Sequence, residues 1–346
     1  MRMCEAFAEL DHRVTLVAKR SCDTVDPYAF YGVANVFSIE TIARPKWRGG
    51  GVLHLGGTAA RLLRAHDVDL VYSRDLLGAA MAAELGMPVV FEVHGVFDRR
   101  WQRAVCMRMV RRPSFRGLVP ISHAMLRELD RAGMVPAGCP VVVAHSPANE
   151  IPGTVAKFEP STPPRIGYVG SLYVGRGVEL VVEVASRMPG CQFEIIGGTD
   201  ADLARWRAAT IPTNVTFRGF EPPARLDSIY RELDVVLMPY PHTGVFGPSN
   251  HLDTAKYCSP MKMFEYMASG VPMVASDLPV LGEVLTHERN ALIAPSGDAA
   301  AWQAAIARLV SDRALRRTLA SNALADLREF TPRARARRIL AELRLA

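Results

Sequence analysis

The chain reads as an α/β protein made of two doubly wound, parallel-sheet domains. Three observations predict this. Short apolar runs suited to buried strands alternate with longer segments of helical periodicity along the sequence. The alternation breaks between residues 146 and 164, where Pro147, Pro152, Pro160, Pro163 and Pro164 gather with Gly153 and little apolar periodicity. A length of 346 residues also suffices for two domains that each bury a core. The expected division is a first domain over 1–150, a linker over 151–164, a second domain over 165–330 and a last helix over 331–346.

In the first domain, Phe7 and Leu10 give one apolar side to a helix over Cys4 to Leu10, and Val14 to Ala18 follows as a short strand. Asn35 to Ile39 is the next strand, ahead of a Pro-, Trp- and Gly-rich loop from Arg44 to Gly51 and a helix from Val52 to His66. Strands Asp69 to Ser73 and Pro88 to Glu92 flank the Ala-rich helix Leu76 to Leu85 as one right-handed crossover. Gly117 to Ile121 is a further strand, Ser122 caps a helix over His123 to Ala132, and Val141 to Ala144 closes the domain as a strand.

The second alternation runs through strand Arg165 to Val169, helix Val178 to Ser186, strand Gln192 to Ile196, helix Ala201 to Ala209, strand Val215 to Arg218, helix Pro223 to Glu232 and strand Val235 to Met238. A loop rich in Pro, Gly and His, from Pro239 to His251, leads to a helix beginning near Pro260 and ending at Gly270. Strands Val271 to Ala275 and Ala291 to Ala294 and helices Asp298 to Ser311, Arg313 to Glu329 and Arg333 to Leu345 complete the chain.

Composition narrows the function. With 49% hydrophobic and 22% charged residues, the sequence is that of a soluble globular protein. It has no apolar run of bilayer length, and Arg2, Glu5, Glu9 and Asp11 interrupt any signal peptide, so a cytoplasmic location is expected. The six cysteines are scattered without the close pairs of a zinc or redox site and read as reduced, structural thiols. The net charge of +6 is concentrated in Arg99, Arg100, Arg103, Arg108, Arg111, Arg112 and Arg116, interleaved with Trp101, Val105, Met107 and Met109. This stretch suits a basic amphipathic helix on an anionic membrane surface, or a solvated face with arginines paired to acids elsewhere. No nucleic-acid motif accompanies it.

The densest chemistry lies in Ser259 to Glu283, SPMKMFEYMASGVPMVASDLPVLGE. Lys262 and Glu265 are three residues apart and share a helical face near an N-terminus that Ser259 can cap. Free N–H groups and a positive dipole there suit a phosphate, and Glu265 can accept from sugar hydroxyls; a solvated surface pair is the plain alternative. The segment resembles the nucleotide-sugar signature of the retaining glycosyltransferases of family 4, in a form with Met263 and Phe264 inside a Ser-Pro-x-Lys-x-Phe-Glu-Tyr-Met-Ala core. The resemblance implies the GT-B fold, two Rossmann-like doubly wound domains facing a central cleft, with the last helix, 331–346, crossing back toward the first domain. It also implies that Glu265 holds the donor ribose and that the helix N-terminus faces the diphosphate. The common form of the motif has a second glutamate eight positions before Glu265, where this chain has Tyr257, so the family's proposed catalytic carboxylate has no counterpart here.

A second cluster, Gly170, Ser171, Gly175, Arg176 and Gly177, joins a strand to a helix. Its small residues admit a phosphate, but it is neither a Walker A loop nor a G-x-G-x-x-G fingerprint; a nicotinamide dehydrogenase stays possible from the doubly wound pattern alone, but would need such a fingerprint. It resembles the family's glycine turn, whose cation meets the diphosphate, so Arg176 pairs with Lys262 in offsetting the leaving group without a metal or other cofactor. Gly197 and Gly198 end a strand at the edge where open sheets bind ligands, with a simple turn as the alternative. Arg218, Gly219 and Phe220 match the family's turn near the nucleobase, and Tyr240 the position before the donor-covering loop, where it could equally be packing. His242 reads as a surface histidine. His94, after strand Pro88 to Glu92, matches the histidine that family members set against the transferred sugar; Arg74 and Ser122 match weaker cleft-edge positions, and His145 sits where family members often show Asn-Gly or His-Asp before the linker, a pattern from which Ser146, Pro147 and Ala148 depart.

Family 4 chains open with a strand and a glycine-rich loop ahead of the helix matched here by Cys4 to Leu10. That implies either a start placed too late or a first sheet without its central strand, the latter predicting unpaired edges and an unstable or inactive chain. The expected function is transfer of a hexosyl group from a UDP- or GDP-linked sugar to a glycan, lipid-linked or small-molecule acceptor. A catalytically impaired binding protein and a GT-B sugar-nucleotide epimerase are the alternatives.

Overall fold

A computed structural model describes residues 1–19, 25–42, 67–154, 159–245 and 253–345. The expected loop Arg44 to Gly51 and helix Val52 to His66, and the end of the loop Pro239 to His251, lie outside the described residues. The chain divides into two compact units, Met1–His145 with Pro332–Ala346, and Ser146–Thr331. Residues 146–150 therefore belong with the second unit, and the last helix is an integral part of the first.

The first unit begins with α1 (Arg2–Ala8), β1 (Thr15–Lys19), α2 (Pro27–Tyr31) and β2 (Ser38–Ile42). α2 was not among the expected elements, although its ends are encoded. The Asp26 carboxylate accepts from the backbone N–H of Tyr28 and Ala29, Pro27 opens the first turn, and Gly32 ends it at φ 61°. Next come β3 (Val71–Ser73), α3 (Leu76–Glu84), β4 (Val89–Val93), α4 (Arg100–Val110), β5 (Phe115–Pro120) and α5 (His123–Arg131), the last capped by Ser122 Oγ accepting from Met125 N–H. The described strands form two parallel sheets, β1-β2 and β3-β4-β5.

The expected strand Val141 to Ala144 is reduced to a single bridge, Leu118 to Val141. It does run beside β5: Leu118 N–H donates to Pro140, Val142 N–H to Leu118 and Ala144 N–H to Pro120. The rung between the last two, onto the Val142 carbonyl, would need an N–H from Pro120, which proline lacks. α12, the chain's last helix (Pro332–Glu342), covers this region, with Ile339 and Leu343 in one apolar cluster with Val90, Val119, Val142 and Ala144. Gly117 permits the close approach, because a side chain there would strike Leu343.

The second unit holds β6 (Arg165–Val169), α6 (Val178–Arg187), β7 (Gln192–Ile196), α7 (Asp200–Arg207), β8 (Val215–Gly219), α8 (Leu226–Glu232) and β9 (Val235–Met238). It continues with α9 (Met261–Ser269), β10 (Met273–Ser276), β11 (Leu292–Ala294), α10 (Ala299–Ser311) and α11 (Arg313–Leu327). One six-stranded parallel sheet runs in the order β11-β10-β9-β6-β7-β8. Strands β6, β7, β9 and β10 are buried because helices are joined in between; Ile166, Tyr168, Phe193, Ile195, Val235 and Leu237 share a core with Trp302, Ile306 and Leu309 of α10. Strand order reverses at β6, which pairs with β7 on one side and β9 on the other. Open α/β sheets bind ligands outside the carboxyl ends of the strands at such a point.

α9 departs from the expected start. Pro260, not Ser259, is the residue before the first turn, and no side chain caps the helix. Ser259 Oγ instead accepts from Ser146 N–H at 2.8 Å, while the Ser146 hydroxyl donates to the Ser259 carbonyl at 2.6 Å. The hydroxyl that could have capped α9 thus ties it to the start of the unit. Gly270 ends the helix at φ 68°, the left-handed stop its sequence position indicates.

Candidate functional site

At the reversal point, the turn after β6 (170–177) and the segment after β9 (239–245) lie against each other. Gly177 has φ +77°, and a Cβ there would meet the Pro239 carbonyl; Gly175 has φ +84° and faces the Gly244 carbonyl in the same way. Only glycine fits both the conformation and the approach. Asp253 pins the covering segment, accepting from the backbone N–H of Gly244 at 2.7 Å and of Val245 and Ala255 at 3.0 Å. Burial raises the pKa of this carboxyl, but the three N–H donors outweigh it and hold the group below the usual range. We expect Gly177→Ala to lower the stability of this unit by more than about 1 kcal/mol, read as a shift in its denaturation midpoint.

Two cations meet on one aromatic ring. Arg176 Nη1 donates to the Tyr240 hydroxyl at 3.2 Å, and its guanidinium carbon lies 5.3 Å from the Tyr240 ring centre and 5.9 Å from that of Tyr173. Lys262 Nζ lies 4.0 Å from the ring centre of Tyr168 and 5.1 Å from that of Tyr240. This nitrogen is buried and makes no hydrogen bond. Burial and then the nearby Arg176 push the ammonium well below its ordinary pKa, with Glu265 opposing only in part. Tyr240 stays a neutral phenol, its pKa pushed up to about 12 by burial against the pull of Arg176. The aromatic faces attract each cation by roughly 0.5–2 kcal/mol, which helps hold two like charges together.

Glycines complete the wall. A Cβ on Gly170 would lie 2.5 Å from Lys262 Nζ, so the absence of a side chain opens that nitrogen to the turn. Gly170 N–H donates to Ile196 and Gly197 N–H to Gly219, which sets the ends of β6, β7 and β8 side by side. The Ser171 carbonyl accepts from the Tyr168 hydroxyl at 2.7 Å, which fixes the backbone beside Lys262. Glu265, one helical turn beyond Lys262, accepts from the Tyr230 hydroxyl at 3.4 Å and is half-buried. The structure thus brings together Gly170, Ser171, Arg176, Lys262 and Glu265, with Gly219 at the adjacent strand end.

Other candidates fall elsewhere. Met263 and Phe264 are buried in the core, Phe264 against Phe330 with ring centres 5.1 Å apart, so their side chains serve packing. The reason is helical phase: residues following Lys262 turn inward as α9 rotates. Arg218 is committed to Glu232 and Glu194, alongside Arg165. His242 pairs with Asp277 at 2.7 Å, and Tyr257 is buried. In the basic stretch, Arg108 and Arg112 both grip Glu84, whose carboxyl their hydrogen bonds hold down at about 2. Cys106, Met109 and Val110 turn inward, while Trp101 is 44% exposed. Cys4, Cys106, Cys139, Cys191 and Cys258 are free thiols.

His94 belongs to the first unit. Its Nε2 lies 2.5 Å from Glu92 Oε1, and its side chain is 42% exposed. Glu92 was not singled out by sequence, yet a lone acid in the buried strand VVFEV requires a partner. That partner is Arg335 on α12, whose Nη1 donates to Glu92 Oε2 at 2.9 Å. Tyr168 is the other residue whose central place emerges only from the fold.

Residues 1–150 match the model "Glycosyltransferase Family 4", and residues 163–312 match "Glycosyl transferases group 1". The GDP-mannose-dependent alpha-mannosyltransferase of Mycobacterium tuberculosis is 26% identical over 264 residues, 74% of this chain and 60% of that protein. The D-inositol 3-phosphate glycosyltransferase of Segniliparus rotundus is 24% identical over 192 residues, 52% of this chain and 40% of that protein. The chain thus spans less than two thirds of the length of these relatives. Sucrose-phosphate synthase from Thermosynechococcus elongatus has a similar structure, with TM-score 0.74 and 18% identity over 99% of this chain and 91% of that one. Anabaena HepE, in complex with UDP and glucose, superimposes with TM-score 0.67 and 16% identity over 97% of this chain and 100% of that one. Among the described residues no helix is long and apolar enough to cross a membrane. The two matched family models, which together take in most of the chain, and the shared fold place it in the GT-B glycosyltransferase family.

Proposed function

We propose that the chain is a retaining hexosyltransferase whose second unit binds a UDP- or GDP-linked sugar. The observation that carries this reading is Lys262, a buried ammonium with no hydrogen-bond partner beside Arg176. A buried cation of this kind calls for an anion. A diphosphate supplies charge of matching size, and two cations on it offset the negative charge that grows as the sugar leaves. Arg176 and Lys262 neutralise the diphosphate, Gly170, Ser171 and Gly219 line its approach, Glu265 holds the ribose and His94 orients the sugar. No metal or other cofactor enters this scheme. The first unit holds the acceptor, a glycan, a lipid-linked sugar or a small molecule. The arginines from Arg99 to Arg116, with exposed Trp101, offer a contact for an anionic membrane surface on the cytoplasmic side.

Tyr257 favours a second reading, a protein that binds the donor without turning it over, because a buried phenol stands where the common motif has a carboxylate. Hydrolysis or transfer from UDP-glucose or GDP-mannose separates the two. The binding site itself is tested by calorimetric titration with UDP and GDP. Glu265→Ala is expected to weaken the preferred nucleotide by roughly tenfold or more, the worth of a lost hydrogen bond to a charged group. Unchanged affinity would remove Glu265 from the site.

A further inference from the structure

His94 sits at the end of a chain of buried polar contacts within the first unit. Glu92 is 8% exposed, on a strand that is otherwise apolar and buried. Its Oε2 accepts from Arg335 Nη1 at 2.9 Å and from the Tyr72 hydroxyl. Its Oε1 is the atom left for His94 Nε2, at 2.5 Å. Arg335 is 2% exposed and fixed in turn, since Nε donates to the His145 carbonyl at 2.8 Å and Nη2 to that of Ala144 at 3.2 Å. α12 thereby reaches His94 through one carboxylate.

The protonation pattern follows from donor and acceptor counts. Burial alone would raise the Glu92 pKa, but Arg335 and the hydrogen bonds of His94 and Tyr72 overcome it and keep the group ionised. An ionised carboxylate only accepts, so the imidazole nitrogen facing it must carry a hydrogen. In the neutral ring that leaves Nδ1 with a lone pair.

We propose that Glu92, clamped by Arg335 and Tyr72, is the positioning residue of His94, holding it as the Nε2–H tautomer so that Nδ1 is a hydrogen-bond acceptor for a sugar hydroxyl. The functional half of this inference rests on the reading of His94 given above. It makes the histidine a reader of a hydroxyl donor, and it makes the last helix part of the apparatus that orients the sugar.

Two measurements test it on the full chain. Long-range proton–nitrogen spectra of histidine-labelled protein at pH 8, above the ordinary imidazole range, report the tautomer, with His94 assigned by its loss in His94→Gln. The expected result is Nε2–H in the wild type and a mixture of tautomers in Glu92→Gln, whose amide can donate or accept. The Nδ1–H form in the wild type overturns the inference, and that observation needs no variant of the clamp to fold. In the second measurement, turnover of UDP-glucose and GDP-mannose is expected to fall roughly ten- to a hundredfold in kcat in Glu92→Gln, with KM little changed, the usual scale for losing the partner that orients a histidine. A large loss in His94→Gln with none in Glu92→Gln overturns the positioning role while leaving the reading of His94 intact. No loss in His94→Gln overturns that reading and the sugar-facing role together, whatever the tautomer.

Discussion

Lys262→Met is expected to make the free protein more stable while removing most of its affinity for a nucleoside diphosphate. The wild-type ammonium is buried without a hydrogen-bond partner and lies near a second cation, and both effects depress its pKa. A lysine whose folded value lies below its unfolded value of about 10.4 lowers stability as pH falls from that value, until the folded value is reached. Methionine is similar in length, apolar and free of this penalty. Its melting temperature should exceed that of the wild type at neutral pH, and the difference should shrink as pH rises toward 10. Binding goes the other way, because a diphosphate supplies the anion that Lys262 lacks in the free protein and raises its pKa. Breaking a buried charge pair of this kind costs about 2–5 kcal/mol, a loss of at least roughly thirtyfold in affinity. The wild type should take up protons on binding UDP, seen as a calorimetric enthalpy that depends on the buffer's own ionisation enthalpy. A destabilised Lys262→Met variant that still binds UDP would contradict the account.

Arg335→Leu should destabilise the first unit by about 3–5 kcal/mol, the scale for leaving a buried charge without its partner. The pH dependence identifies the cause. In the wild type Glu92 is held below its unfolded value, so its contribution to stability is present above about pH 4.3 and is lost as pH falls through the folded value. Without Arg335 the burial effect prevails, the folded value rises above the unfolded one, and the sign reverses. Arg335→Leu should therefore gain stability between pH 7 and pH 5, where the wild type does not. Adding Glu92→Leu removes the stranded charge and should recover much of the loss at pH 7. Denaturant titrations of the single and double variants at both pH values would show this pattern, and equal losses in the two variants would reject the pair as the cause.

Local chemistry accounts for what was legible in the sequence. β6, β7 and β9 have the bounds expected from their sequence, because a buried parallel strand is mostly apolar on both faces. Gly175 and Gly177 stood out as a turn, and their positive φ values show why no other residue serves. What stayed hidden depends on distant partners. Lys262 and Glu265 have the spacing of a solvated surface pair, and only Tyr168 of β6 and Tyr240 of the segment after β9 turn the lysine into a buried cation. Ser259 had the chemistry of a cap, but Ser146 claims it. Glu92 and Arg335 are 243 residues apart, a distance that no periodicity spans. α2 is the exception, since Asp26, Pro27 and Gly32 carried its signal locally.

The central claim is that Arg176 and Lys262, brought onto one tyrosine at the strand-order reversal of the second unit, form a diphosphate site. The most direct test compares uridine with UDP by calorimetry on the wild type and on Lys262→Met, and repeats it with guanosine and GDP. The account predicts that for the preferred base the diphosphate binds far more tightly than the nucleoside in the wild type, and that most of this difference disappears in the variant while nucleoside affinity is unchanged. A diphosphate advantage of equal size in both proteins would contradict it.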